Sequence, residues 1–580
     1  RDASPALASR PTPGEPTLAS QGPRVQEQGA CMGLHDQWYE NAIFYCLDVE
    51  TYADSDGDGI GDFRGLTRRL DYLAGLGVTC LWLMPFYPSP NRDDGYDVAD
   101  YCSIDSRLGS MADFSEFVLE AHERGIHVII DLEPNHTSDA HPWFQAARQD
   151  PGSPYRDYYV WREDDPGDTS DQVVFPGEQE GIWTYDEQAK AWYLHHFYAF
   201  QPDLNFANPA VRNSFRTIMG LWLQLGVAGF RIDAAPFLIN LTGVEAAASL
   251  EPAHAFLQEL KDFATVRSGN AILLGEVDEG LSTIADYFGG GNQLQALFNF
   301  PLNRYLFLGM AQMSADPIMF GIQQLPTIPD SGQWVNFLRH HDELNLSRLT
   351  RDQREQVFAA FGPEPEMQIY DRGLRRRLAP MLGGDQARIR LAYSALFGLP
   401  GAPMLFYGEE IGMGEQPALP GRLSVRAPMQ WTPYDNGGFS KAPPERFVRP
   451  ILAEGDFGFE RVSVAAQRND PDSLLNWLVA LIRTRRECPE IGAGRCRVID
   501  TGNDAILALR YDDPENESAV VVLNNLSPDR QTIRLDLTER EIATTTDLLA
   551  DRRYEPLDPK TQRQRLNGFG FRWLRLGGIY

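Results

Sequence analysis

From Trp38 onward, short apolar runs alternate with amphipathic stretches. Residues 43–45 (Ile-Phe-Tyr) read as a strand. Residues 63–76 read as a helix, because Leu66, Leu70 and Leu73 fall at i, i+4 and i+7, and Gly77 stops it. The apolar run 78–83, closed by Pro85, predicts a buried strand. A helix over 111–124, stopped by Gly125, precedes a strand at 127–131. Further strands are predicted at 229–233, 272–276, 334–342 and 404–406, with a weaker one near Leu297 and Phe298. Helices are predicted at 211–225, 255–265, 387–399 and 474–486. Strands alternating with helices imply parallel βαβ units, and eight of them make a closed (β/α)8 barrel the economical α/β architecture.

The alternation fails in three places. Residues 1–35 hold Pro5, Pro11, Pro13, Pro16 and Pro23 among small and polar residues without apolar periodicity, which reads as a disordered segment. Residues 135–206 are polar and aromatic, too long for a plain loop. They read as a small inserted domain after the third strand. The barrel then occupies 36–134 and 207–492. From 493 to 580 the texture is all-β, with strands at 505–511 and 519–523, and predicts a C-terminal β-sandwich.

The chain has 580 residues, 52 Lys and Arg against 81 Asp and Glu, and a net charge of −29. So acidic a body repels phosphate backbones, which argues against nucleic acid and for neutral substrates or cations. No apolar run reaches the ~18 residues of a bilayer span, so no membrane is expected. Cys31, Cys46, Cys80, Cys102, Cys488 and Cys496 do not form CxxC pairs. They read as mostly buried thiols of a reduced compartment, and with no signal-peptide apolar region a cytoplasmic location is expected. A homo-oligomer is compatible with the sequence.

Polar residues recur where strands end. Asp233, Glu276 and Asp342 close three different predicted strands, two of them beside Arg or His. In a barrel of this kind those ends share one mouth, where mutual repulsion would raise pKa values and cost stability. A working site explains that better than helix caps. Carboxylates converging on a neutral ligand point to glycosidic bond cleavage. A pair ~5–5.5 Å apart would act as nucleophile and general acid with retention of configuration.

The ordered motifs DLEPNH (131–136), GFRIDAAPF (229–237), GEV (275–277) and RHHDE (339–343) resemble those of the α-amylase clan, glycoside hydrolase family 13. GYDVADY (95–101) and QPDLN (201–205) extend the resemblance. It implies Asp233 as the nucleophile, with Arg231 keeping it ionised, and Glu276 as the general acid/base. Asp342 would hold sugar hydroxyls. His136 and His341 would donate to the −1 sugar, and Tyr96 and Asp97 would close that subsite. Long stretches, RGLRRRLAPMLGGD (372–385) and VRAPMQWTPYDNGGFS (425–440) above all, resemble the trehalose-synthase branch, which interconverts maltose and trehalose. That implies small α-glucoside substrates (maltose, trehalose, possibly sucrose), with Glu343 and Arg426 helping to hold the +1 glucose. Four departures stand out. Val277-Asp278-Glu279-Gly280 follows the acid/base where that branch carries Asn-Gln-Trp. His340 replaces the Asn of Arg-Asn-His-Asp-Glu. Glu133-Pro134 stands where apolar residues are usual, and the 237–240 loop is altered. These cluster around the acceptor side, so an α-glucosidase or another transglucosylase is the alternative.

Asp54, Asp56, Asp58 and Asp62 supply oxygens at positions one, three, five and nine of an Asp-rich loop, with Ile60 offering a carbonyl. Gly65 replaces the bidentate Glu of an EF-hand. The loop is read as a structural Ca2+ site, with Mg2+ the alternative. Asn135 and Asp203 resemble a second calcium site of the clan.

Overall fold

The computed structural model describes residues 37–239, 254–493, 495–513 and 517–577. The segment 1–35 and Asn240 of the altered loop lie outside them. Eight parallel strands close into a barrel. They are β1 Phe44–Leu47, β2 Cys80–Leu83, β3 His127–Leu132, β4 Gly229–Ile232, β5 Ile272–Gly275, β6 Ala296–Phe298, β7 Gln333–Phe337 and β8 Ala402–Phe406. Each pairs with the next, and β8 returns to β1 through Phe44 and Met404. At the β4–β5 seam the backbones approach so closely that a Cβ on Gly229 would overlap the Ile272 carbonyl.

Two elements differ from the sequence expectation. The strand predicted over 334–342 ends at Phe337. Asn303 Nδ2 donates to the carbonyls of Phe337 at 2.7 Å and Leu338 at 3.1 Å, so residues 338–342 leave the sheet as a loop. The helix predicted over 63–76 is two helices, Phe63–Thr67 and Leu70–Leu76. Arg69 between them has ψ 0°, a break that apolar spacing does not register. Pro209–Gln224 begins before its apolar stripe because Asn208 caps it and Pro209 occupies the first turn. Leu474–Arg486 lies where the pattern put it.

Between β3 and β4 stands a small antiparallel sheet of Trp161–Arg162, Ala191–Leu194 and Trp183–Asp186. Phe144 of helix Pro142–Gln149 stacks on Trp161 at 5.6 Å. The two ends of the insertion are held together by the bridges His136–Asp203 and Tyr159–Leu204. Near the C-terminus a five-stranded antiparallel sheet faces a two-stranded one. The period of two is explicit there. Ile506 and Ala508 join the core with Ile533 and Leu566, whereas Leu507, Leu509 and Tyr511 face the barrel core. Tyr511 Oη donates to the Gly398 carbonyl at 2.7 Å and Trp573 Nε1 to Ser394 Oγ at 3.0 Å, which docks this sheet on helix Gln386–Gly398. Cys46, Cys80 and Cys488 are buried, Cys102 is exposed, and none of the described cysteines is in a disulfide. No helix among the described residues is long and apolar enough to cross a membrane.

Candidate active site

Strands β3, β4 and β5 each deliver an acid to one guanidinium. Arg231, two residues before Asp233 on β4, shares its side of the strand. Its Nη1 lies 2.6 Å from Asp131 Oδ1 and 2.6 Å from Asp233 Oδ1, and its Nη2 lies 2.8 Å from Glu276 Oε2. The backbone N–H of Ala234 adds a 3.2 Å bond to the same Glu276 oxygen. Arg231 is 1% exposed, so the charge exchange happens away from water. Burial pushes Asp233 up to about 6 and Glu276 up to about 7, with Arg231 working against both shifts. Asp131 is likewise pushed up to about 6 by burial, though it accepts from Trp82 Nε1 and Tyr96 Oη, each at 3.1 Å.

Asp342 is treated oppositely. Burial acts to raise it, but His341, Arg422 and Arg426 together hold it well below the usual carboxylate range. His341 Nε2 is 3.1 Å from Oδ2, while Arg422 Nη1 (2.8 Å) and Arg426 Nη2 (2.7 Å) share Oδ1. Three acids in one mouth are thus driven apart in proton affinity, the condition under which carboxyls take different roles.

The three acids open on a cavity of about 580 Å3, of a size for a small ligand. Tyr96, His136 and Glu343 also line it. Tyr96 stacks on His341 at 5.6 Å and bonds its Nε2 at 2.7 Å. His136 Nε2 meets the Tyr96 carbonyl at 3.1 Å. Val174, Phe175 and Phe197 come from the inserted segment, and Arg372 reaches across to the Val174 carbonyl at 2.7 Å.

Two expected contacts are corrected. Asp97 is 0% exposed and does not line the cavity. It accepts from Ser89 Oγ at 2.8 Å and from the backbone of Arg92 at 3.1 Å, shaping the loop. Asp93 lines the cavity instead, paired with Arg422 at 2.8 Å. Arg426 is 1% exposed behind Asp342, bonded also to Asp94 and to the His341 carbonyl at 2.9 Å. It orients Asp342 from the rear, and of the two arginines on Asp342 only Arg422 lines the cavity. Neither Asp93 nor Arg422 ends a strand, so neither carried the signal that singled out the acids. Elsewhere on the cavity wall, Asp278 is held by Arg304 and by Asn345 at 2.9 Å, and Glu279 by Arg348 at 3.0 Å.

Glu133, one of the sequence departures, is 0% exposed, and neither carboxylate oxygen has a hydrogen-bond partner. Burial first, then Asp131 and Asp233, push its pKa well above the ordinary range. A buried, unpaired carboxylate neutralises rather than pays the desolvation cost. A raised native pKa contributes stability that is present below the unfolded value and lost as pH rises through the folded one. Glu133→Gln removes that loss. Its thermal midpoint should match the parent's near pH 5 and exceed it increasingly toward pH 8, measured by calorimetry. A gap that stays constant with pH would show that Glu133 keeps a normal proton affinity.

In the Asp-rich loop, the carboxylates of Asp54, Asp56 and Asp62 lie within 4.8 Å of one another. Desolvation first, and then the charge of neighbouring Asp58, raise the pKa of Asp56. Asp58 instead turns to the Ile60 N–H at 2.8 Å. A hard-oxygen set of this kind suits a calcium-class ion. At the other expected site, Asn135 Nδ2 donates to Asp203 Oδ1 at 3.2 Å, and His196 Nδ1 takes Oδ2. Nitrogen donors on both oxygens of Asp203 suit a cation poorly.

With this geometry in place, comparison with known proteins is specific. The alpha-amylase catalytic domain matches residues 49–494. The chain is 39% identical over 552 residues to the trehalose synthase/amylase of Mycobacterium tuberculosis, covering 94% of this chain and 92% of that protein. It is 38% identical over 560 residues to the trehalose synthase of Pimelobacter sp., covering 95% and 97%. Among solved structures, an alpha-amylase from H. orenii superposes with a TM-score of 0.75 at 28% identity, over 92% of this chain and 99% of that one. The chain belongs to the alpha-amylase family, glycoside hydrolase family 13, and is one of its glycosidase/transglucosylase enzymes.

Proposed function

We propose that this enzyme transfers a glucosyl unit within an α-glucoside, interconverting maltose and trehalose through a covalent β-glucosyl-Asp233 intermediate. The observation that carries the reading is the single Arg231 guanidinium joined to Asp131, Asp233 and Glu276 at the floor of the cavity. Asp233, kept ionised by Arg231, attacks the anomeric carbon from one face. Glu276, whose raised pKa leaves it a proton to give near neutral pH, protonates the departing glycosidic oxygen. Asp342, ionised throughout, binds hydroxyls of the −1 sugar and stabilises oxocarbenium character. Tyr96, His136, Asp93 and Arg422 enclose that sugar. The freed glucose turns in the pocket and returns its anomeric hydroxyl to the glucosyl-enzyme as Glu276 takes the proton back. The inserted segment, through Val174, Phe175 and Phe197, serves as the lid that keeps water from competing. The names and coverage of the relatives support trehalose as one member of that pair.

The second reading is an α-glucosidase or another transglucosylase. It is favoured by the acid–arginine pairs Asp278–Arg304 and Glu279–Arg348 on the acceptor side, where the branch has Asn-Gln-Trp. Incubation with maltose, trehalose and sucrose separately, followed by product chromatography, decides. Trehalose from maltose and maltose from trehalose support the first reading; glucose alone supports the second.

We also propose that Asp54, Asp56 and Asp62, with Asp58 and the Ile60 carbonyl, hold one structural Ca2+. When bound, the ion supplies charge neutralisation that cross-links the loop. The loop already clasps residues 439–448 through Asp54 N–H to the Phe439 carbonyl (3.1 Å) and Val448 N–H to the Gly59 carbonyl (3.0 Å). Exhaustive chelation should therefore lower the thermal midpoint and added Ca2+ restore it. A ligand at a hundred times its Kd stabilises by about 2.7 kcal/mol. A melt unchanged in verified metal-free protein would refute the site. The reading extends to a cytoplasmic location, which the free thiols among the described residues support.

A further inference from the structure

We propose that Tyr370 is a positioning residue: its ring latches the tip of the inserted segment, residues 173–179, over the cavity and so sets how the glucosyl-enzyme divides between the returning glucose and water. The partition half rests on the function proposed above; the latch half does not.

Gln368–Ile369 and Gly373–Leu374 form a hairpin. Its second strand also pairs with Leu344–Asn345, which follows directly on Asp342 and Glu343. At the tip Tyr370 has φ 55° and Asp371 φ 54°, and the Arg372 N–H donates to the Ile369 carbonyl at 3.2 Å. Two successive left-handed residues closed by that bond have the backbone signs of a type I′ turn, the turn that Asn-Gly fills at least cost. A bulky aromatic at positive φ is an outlier. Strain of this kind persists where the surroundings over-determine it, and it clusters at ligand clamps and switch segments. A turn built for stability alone has no use for Tyr here, so the reason for it lies in what the ring touches.

The Tyr370 ring lies 5.1 Å from that of Phe175, within the range where aromatic pairs attract, and its hydroxyl hydrogen-bonds Tyr198. Both partners belong to the inserted segment, and they stack on each other at 5.0 Å. Phe175 lines the catalytic cavity, whereas Tyr370 borders a second cavity of about 380 Å3 that shares Asp93 and Arg422 with the first. Tyr370 therefore acts on the sugar only through Phe175, which it backs. The tip's own bonds are few and local. Gln179 Oε1 accepts from the Phe175 N–H at 2.7 Å, and the N–H groups of Glu178 and Gln179 donate to the Phe175 carbonyl at 3.0 and 3.3 Å. Such a turn frays without outside support. From outside the insertion it meets Tyr370, the Arg372 guanidinium on the Val174 carbonyl, and the Arg422 guanidinium 4.9 Å from the Phe175 ring. Because the hairpin is bonded to the strand that follows Asp342, the latch joins the lid to the catalytic floor. When the tip lifts, water reaches the glucosyl-enzyme and competes with the glucose held there.

The test compares Tyr370→Asn, Tyr370→Gly and Tyr370→Phe in the full chain, each checked for folding by its melt. Asn and Gly suit the left-handed turn but discard the ring, whereas Phe keeps it. With maltose, glucose released per trehalose formed should rise roughly three- to tenfold in the two truncations, the span of losing one aromatic pair that holds the tip shut. Tyr370→Phe should stay near the parent. Hydrogen exchange at the amides of Phe175, Glu178 and Gln179 should quicken severalfold in the truncations and not in Tyr370→Phe. Exchange unchanged in both truncations, or quickened as much in Tyr370→Phe, would overturn the latch. Faster exchange with an unchanged product ratio would overturn the partition. Loss of cooperative melting in both truncations beside a normal Tyr370→Phe would make the ring a structural element and overturn its positioning role. If the parent yields glucose alone, the partition half falls with the isomerase reading, while exchange still decides the latch.

Discussion

Replacing Asp233 by Asn will lower turnover by roughly 10^4 or more, the scale on which removing a nucleophile that acts with its partners as a unit is felt. The side chain keeps its shape, so the loss is chemical. Stability should move the other way. Burial raises Asp233 to about 6, above its unfolded value, so its ionisation costs the native state stability as pH rises through that value. An amide cannot ionise, and the thermal midpoint of the variant at pH 8 should equal or exceed the parent's. Rates on a chromogenic α-glucoside, paired with melts at pH 5 and 8, measure both halves. Near-normal turnover in a sequence-verified variant would remove Asp233 from the nucleophile's role. A much lower midpoint would show that the carboxylate is structural.

Replacing Arg231 by Met should destabilise the protein on the order of 3–5 kcal/mol, the cost of leaving buried charges without their partner. Asp131, Asp233 and Glu276 would then face one another with no cation between them. They would respond by taking up protons, so the loss should be smaller at pH 5 than at pH 8. Turnover should fall as well, because a protonated Asp233 cannot attack. Thermal midpoints across pH, beside rates, provide the check. A midpoint that rises at all pH values would mean that the carboxylates prefer an apolar neighbour to Arg231 and that the network is not what holds this floor together.

These two residues illustrate a trade between work and stability. Arg231 stabilises three acids imperfectly, and the imperfection leaves Glu276 protonated near neutral pH. Glu133 lies at the edge of this exchange. It is buried beside Asp131 and Asp233 with no side-chain hydrogen-bond partner, and the charge of Arg231 offsets its burial only in part.

The alternation of strand and helix by itself determined the barrel, because apolar periods of two and 3.6 are local consequences of backbone geometry. It also placed Asp233, Glu276 and Asp342 in one mouth, since parallel strands in a barrel end on the same side. Tertiary structure alone decided what those acids touch. Asp97 and Asp93 sit four residues apart in one loop, and only packing determined that the first ties down the loop while the second lines the cavity. Arg422 and Arg426 both reach Asp342, yet only folding put one at the wall and the other behind it. The seventh strand's early end belongs to the same class, set by the Asn303 side chain on the Phe337 carbonyl. Hydrogen-bond partners across hundreds of residues leave no mark on local spacing, so their assignment waits for the folded chain.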